Sequence, residues 1–130
     1  MSPSTTGGRR EPPALQRRVQ SLVTVCRRLG SHLDVLEDAL APAADALATG
    51  ADPGAALDVL LESGAVGVAL QATEAIREYE RALRLLRGAI VGALVDDQGM
   101  TYSAAAERLG LSRTAVSRLH GAHLEGDQRP

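Results

Sequence analysis

Lysine, phenylalanine and tryptophan are absent from this chain of 130 residues, and it has only one cysteine and two tyrosines. A single cysteine excludes an intramolecular disulfide framework, and a cytosolic location is the expectation. With aromatics at 2%, the rings that stack successive bases are missing, which argues against single-strand nucleic-acid binding. No apolar run approaches the ~20 residues needed to span a bilayer. The opening MSPSTTGGRREPP has no apolar core after its charges, so neither a signal peptide nor a membrane partner is expected. His32, His120 and His123 have no Cys or clustered carboxylates at metal-ligand spacing. There is no Gly-rich phosphate loop after a strand, no Ser or Cys beside a plausible His base, and no carboxylate pair with an evident cleft. The expectation is a protein that is not an enzyme and needs no cofactor or metal.

What is present is aliphatic. Hydrophobic residues make up 45% of the chain, so a core of Leu, Val, Ile and Ala is available, which suits helix-on-helix packing. The net charge of −2 is unevenly spread. Residues 1–30 hold six Arg against Glu11, residues 31–80 hold ten acids against Arg77, and residues 81–130 hold seven Arg against five acids. An acidic middle between basic ends fits a localised basic surface rather than a nonspecific nucleic-acid coat.

The composition of residues 1–10 (Ser, Thr, Gly, Arg) predicts a disordered tail, and Pro12 and Pro13 suit the first turn of a helix. From there Leu15, Val19, Leu22, Cys26, Leu29, Leu33, Leu36 and Leu40 alternate in spacings of four and three. That is a heptad seam, and it predicts one long amphipathic helix packed along its length, with Cys26 buried in it. Pro42 predicts an end or a kink. Asp52 and Pro53 predict the start of a short helix through Leu57, Leu60 and Leu61 that ends near Ser63-Gly64. A second long seam runs Ala72, Ile76, Tyr79, Leu83, Leu86, Ile90 and Ala93 or Leu94, closing at Gly99. No strand pattern competes. The fold expected is all-α: long heptad-patterned helices in a bundle or coiled-coil homodimer, followed by a C-terminal pair of short helices. The seam residues of the first helix, with Ile76 and Leu83 of the second, are the candidate dimerisation residues.

The C-terminal stretch YSAAAERLGLSRTAVSRLHG constrains itself most tightly. Ala106 is small where two short helices cross, and Gly110 suits the left-handed residue of a sharp turn. Leu109, Leu111, Val116 and Leu119 are expected to face inward, and Ser112 to cap the second helix. Over all twenty residues, Tyr102 to Gly121, this pattern resembles the helix-turn-helix superfamily. With DDQGMTYSAAAERLG before it and SRLHGAHL after it, residues 81–124 also resemble the DNA-reading end of bacterial sigma factors and of short transcriptional regulators. Ala105 departs from the Ile or Leu often found there. The resemblance implies a recognition helix at Arg113–His120 entering the major groove of duplex DNA. Arg113, Thr114, Ser117, Arg118 and His120 would be its contacts, with Ser112 and Thr101 donating to the backbone.

Arg77, Arg81 and Arg84 recur at helical spacing among Glu74, Glu78 and Glu80, the pattern of a solvated face. The pairs Arg9-Arg10, Arg17-Arg18 and Arg27-Arg28 suit either an arm on DNA or a partner for the acidic middle of a second subunit. The domain reading is a tail at 1–10, a helical dimerisation region at 11–80, a helix-turn-helix domain at 81–124 and a tail at 125–130. The expected function is a cytoplasmic, nucleoid-associated, dimeric transcriptional regulator that binds double-stranded DNA. The alternatives are a nucleoid or partition protein, a sigma-like accessory that meets another protein such as RNA polymerase, and a helical protein-interaction module.

Overall fold

A computed structural model describes residues 13–128. The tail expected at 1–10 and the role of Pro12 lie outside the described residues, as do Arg9-Arg10. Among the described residues the chain is all-helical, with five α-helices and one π-helical turn and no strand. We label the α-helices α1 (Ala14–Ala48), α2 (Pro53–Glu62), α3 (Ala65–Gly92), α4 (Tyr102–Leu109) and α5 (Arg113–Gln128), with the π turn at Ala93–Asp97. No single helix among the described residues is long and apolar enough to cross a membrane. α5 continues to Gln128, so residues 125–128 are helical where a tail was expected.

The helix boundaries follow from local chemistry. Asp52 Oδ1 accepts the Ala55 N–H at 2.8 Å and Pro53 opens α2, as a start signal of this kind requires. α2 closes at Ser63, whose N–H bonds to the Val59 carbonyl, and Gly64 follows at φ +78°. Pro42 does not end α1, which runs on to Ala48. The missing N–H is tolerated because apolar contacts resume directly beyond it: Ala43 is buried and Ala46 half-buried.

The described residues form two compact units, one combining residues 13–21 with residues 83–128, the other spanning Leu22–Ala82. Both long helices contribute to each unit. In the Leu22–Ala82 unit α3 returns beside α1, and an exposed ion pair between Arg28 and Glu78 at 2.8 Å ties the two. Arg28 therefore finds its acid in the acidic middle of its own chain. Such exposed pairs contribute about 0–1 kcal/mol, so apolar packing has to carry this unit.

That packing uses a different stripe from the one the spacing predicts. The covered positions of α1 are Leu22, Val25, Leu29, His32, Leu36, Ala39, Ala43 and Ala46. Val25 replaces Cys26, His32 replaces Leu33 and Ala39 replaces Leu40, so the seam is rotated by one residue. α3 shifts in the same way, with Ala75 buried in place of Ile76 and Ala82 buried in place of Leu83. On α3 the physical reason is size: alanines at the contact let two helices approach closely, while Leu22, Leu29 and Leu36 of α1 keep their covered places. Cys26, expected in the core, is consequently exposed. Leu33, Leu40, Leu47 and Ile76 are exposed as well.

The other unit has the denser core. Val91 and Val116 are fully buried, and Leu94, Ala105 and Ala106 pack with them. Ile90, Val95, Met100, Tyr102, Leu109 and Leu119 lean on this cluster half-buried. Ala105, the departure from the pattern it resembles, is fully buried: a larger residue would overfill the site. Gly88 and Gly92 allow the end of α3 to approach α5, since a Cβ on Gly92 would lie 2.5 Å from the His123 ring.

α4 and α5 meet at Gly110, which sits at φ 71°, ψ 29° in the left-handed region. Its N–H bonds back to Glu107 and Ala106, and the Leu111 N–H donates to the Ala106 carbonyl at 3.0 Å. This closes the last turn of α4 in the manner of a Schellman motif. Substituting Gly110→Ala is expected to lower stability by about 1 kcal/mol through the left-handed strain. Gly121→Ala, on α5 with open space around its Cβ, is expected to raise it by about 0.5–1 kcal/mol. Urea unfolding of both variants checks the pair, and opposite signs are the predicted result.

Candidate functional site

The residues expected to carry function converge on α4, α5 and the turn between them. Each helix starts on a hydroxyl cap. Thr101 Oγ1 accepts the Ala104 N–H at 3.1 Å, and Ser112 Oγ accepts the Ala115 N–H at 3.0 Å. An oxygen used this way still holds its own proton, so both exposed hydroxyls keep a donor for an outside group.

α5 is divided lengthwise. Val116 and Leu119 point into the core, as expected, and Leu109 leans on it, but Leu111, also expected inward, is exposed. Arg113, Thr114, Ser117 and Arg118, with Gly121, recur on the opposite side and are exposed. Arg113, Thr114 and Ser117 also line a shallow depression of about 310 Å³ whose remaining lining residue is Tyr102. Two cationic side chains and two hydroxyls thus stand on one exposed face, and the helix beneath them is held by its buried side.

His120 does not belong to that face. Expected among the DNA contacts, it is instead 7% exposed. Its Nε2 lies 2.9 Å from Asp96 Oδ1 and its Nδ1 lies 2.8 Å from the Tyr102 hydroxyl. A carboxylate only accepts, so Nε2 carries the proton. In the neutral ring Tyr102 then donates to the bare Nδ1. The Tyr102 and His120 rings also meet edge to face, with centroids 5.4 Å apart. One buried imidazole therefore joins the π turn, α4 and α5, and it fixes the tyrosine that walls the polar depression.

Sequence reasoning missed this network because it placed His120 by its position near the end of a recognition helix. One signal was available in Asp96, an acid near a helix C-terminus where it opposes the helix dipole. The widened π turn resolves the anomaly. With Gln98 N–H bonding to the Ala93 carbonyl and Met100 N–H to the Leu94 carbonyl, Leu94 is buried while Asp96 meets His120.

The candidate dimerisation residues lie on α1 and α3. Leu15, Val19, Cys26, Leu33, Leu40 and Ile76 are exposed, and Leu22, Leu29, Leu36 and Leu83 are half-buried within the chain. Arg77 pairs with Glu74 at 2.7 Å on a solvated face. Among the described residues no group of three His, Cys, Asp or Glu is arranged to hold a metal ion.

Tyr102→Phe removes the hydroxyl from a part-buried imidazole nitrogen and is expected to cost about 1–2 kcal/mol of stability. His120→Ala is expected to cost more, because it also leaves a cavity and an unpartnered Tyr102 hydroxyl. Chemical denaturation of both variants tests the network, and a neutral Tyr102→Phe would show that the hydrogen bond is not structural. No family model, curated protein or solved structure matches this chain.

Proposed function

We propose that the chain is a sequence-specific, double-stranded DNA-binding protein in which α4 and α5 form a helix-turn-helix and α5 is the recognition helix. The observation that carries this reading is the division of α5. Arg113, Thr114, Ser117 and Arg118 share one exposed face, while Val116, Leu119 and His120 anchor the other. A rigid helix with a forked cation at each end of its exposed face has the chemistry to read guanine O6 and N7 in the major groove. Thr101 and Ser112, at the starts of α4 and α5, are placed where helix N-termini and hydroxyl protons favour phosphate oxygens. His120 leaves the contact set and becomes the residue that orients it.

The protein works as a homodimer. Val19, Cys26, Leu33, Leu40 and Leu47 are all exposed and recur every seven residues along α1. A heptad row of this kind is complementary to a second copy of itself in a coiled coil or helical bundle. Val25 is the largest fully apolar side chain buried in the Leu22–Ala82 unit, whose other buried residues are alanines. The leucines turned outward are therefore the apolar surface left to cover. Two chains so joined would present two recognition helices to a two-fold symmetric site, spaced by about 34 Å or a multiple of it. The role this fits is a cytoplasmic transcriptional regulator.

Arg113→Ala with Arg118→Ala is expected to weaken a cognate duplex by tenfold or more, about 1–3 kcal/mol per lost bidentate contact, without moving the thermal midpoint. A gel-shift titration at fixed salt reads this, and unchanged affinity in the double variant would refute α5 as the reading helix. Leu33→Glu with Leu40→Glu is expected to convert the dimer to a monomer by light scattering. A dimer surviving those two charges would remove α1 from the interface.

A further inference from the structure

One cavity shares only Arg118 with the proposed DNA contacts and no residue with the proposed dimer row. It lies between the end of α3 and the α4–α5 elbow and has a volume of about 580 Å³. Val91 is fully buried and forms its base, while Ile90, Leu109, Leu111, Ala115 and Leu119 make its walls. Leu111 is 42% exposed, so the apolar lining opens to solvent. Arg87 and Arg118, both exposed, complete the lining, and no acidic residue is among it.

We propose that this cavity binds an amphiphilic monoanion, a carboxylate with an alkyl body. The volume falls within the range of about 300–1,000 Å³ typical of small-molecule sites. Six aliphatic side chains offer no hydrogen bond to water, so an apolar body is the better occupant. The aliphatic stems of Arg87 and Arg118 extend the apolar wall, and their guanidinium groups supply a forked donor set for a carboxylate at the mouth. A nucleic-acid phosphate suits the two cations but not the apolar base. A neutral lipid suits the base but leaves the cations unmatched.

The regulatory consequence rests on the DNA reading above. Arg118 serves both the cavity and the exposed face of α5, so a bound carboxylate takes a guanidinium away from the duplex and lowers DNA affinity. The site itself stands apart from that reading and is tested without DNA.

The experiment is calorimetric titration of the full chain with sodium decanoate, below its micellar range, with 1-decanol as the neutral counterpart. The expected result is saturable one-to-one binding of decanoate, with decanol at least about tenfold weaker, the loss of a charge-assisted hydrogen bond. Arg87→Glu, a surface change, is expected to weaken decanoate by tenfold or more. Ala115→Leu, which fills the cavity from α5, is expected to do the same, and circular dichroism of both variants verifies the fold. Absence of saturable binding, equal affinity for decanol, or full affinity in both variants would overturn the proposal. A chain that takes decanoate but never a duplex would refute the DNA reading and leave this site in place.

Discussion

His120 is the side chain on which the C-terminal half of the molecule depends. It is the one polar or charged residue buried among those whose side chains are described, and both ring nitrogens are satisfied, one by Asp96 and one by Tyr102. Burying an imidazole is costly unless its nitrogens are paired. The requirement for two partners at fixed distances sets α4, α5 and the π turn in one arrangement. Aliphatic contacts among Val91, Ala105 and Val116 supply cohesion, but they are non-directional and tolerate sliding. The hydrogen bonds select the rotation of α5 about its axis, and that rotation decides that Arg113, Thr114, Ser117 and Arg118 face outward.

A second constraint acts along the long helices. Each carries apolar residues on a stripe wider than a single seam, with small side chains along one edge and large ones along the other. Within the chain α3 offers alanines at Ala72, Ala75 and Ala82, and α1 covers Leu22, Val25, Leu29 and Leu36. The large edge, with Leu33 at 46% and Leu70 at 66% exposure, is left for another surface. A stability design of this kind makes sense if the chain completes its packing only by pairing.

Much of this was legible in the residues. The capping signals at Asp52 and Ser112 and the turn glycine at Gly110 are local chemistry, and local chemistry reads directly from sequence. The inward positions Val116 and Leu119 followed from the 3.6-residue period. The rotation of the α1 seam from Cys26 to Val25 was not legible, because a spacing of four and three is satisfied by two adjacent stripes. Only the partner's side-chain sizes choose between them. The π turn and the Asp96–His120 bond were hidden for a related reason, since one extra residue in a turn changes the register of everything after it. The apolar cavity has no sequence signature, as its lining comes from α3, α4 and α5 and the turn before α5.

The proposed function requires that two copies of α5 read a duplex together. Selection of bound sequences from random duplex DNA, with the mass of the recovered complex measured, tests this most directly. The predicted result is enrichment of a two-fold symmetric site, its halves one helical turn or a multiple apart, occupied by two chains. Recovery of no preferred duplex, or of a lone half-site bound by a single chain, would contradict it.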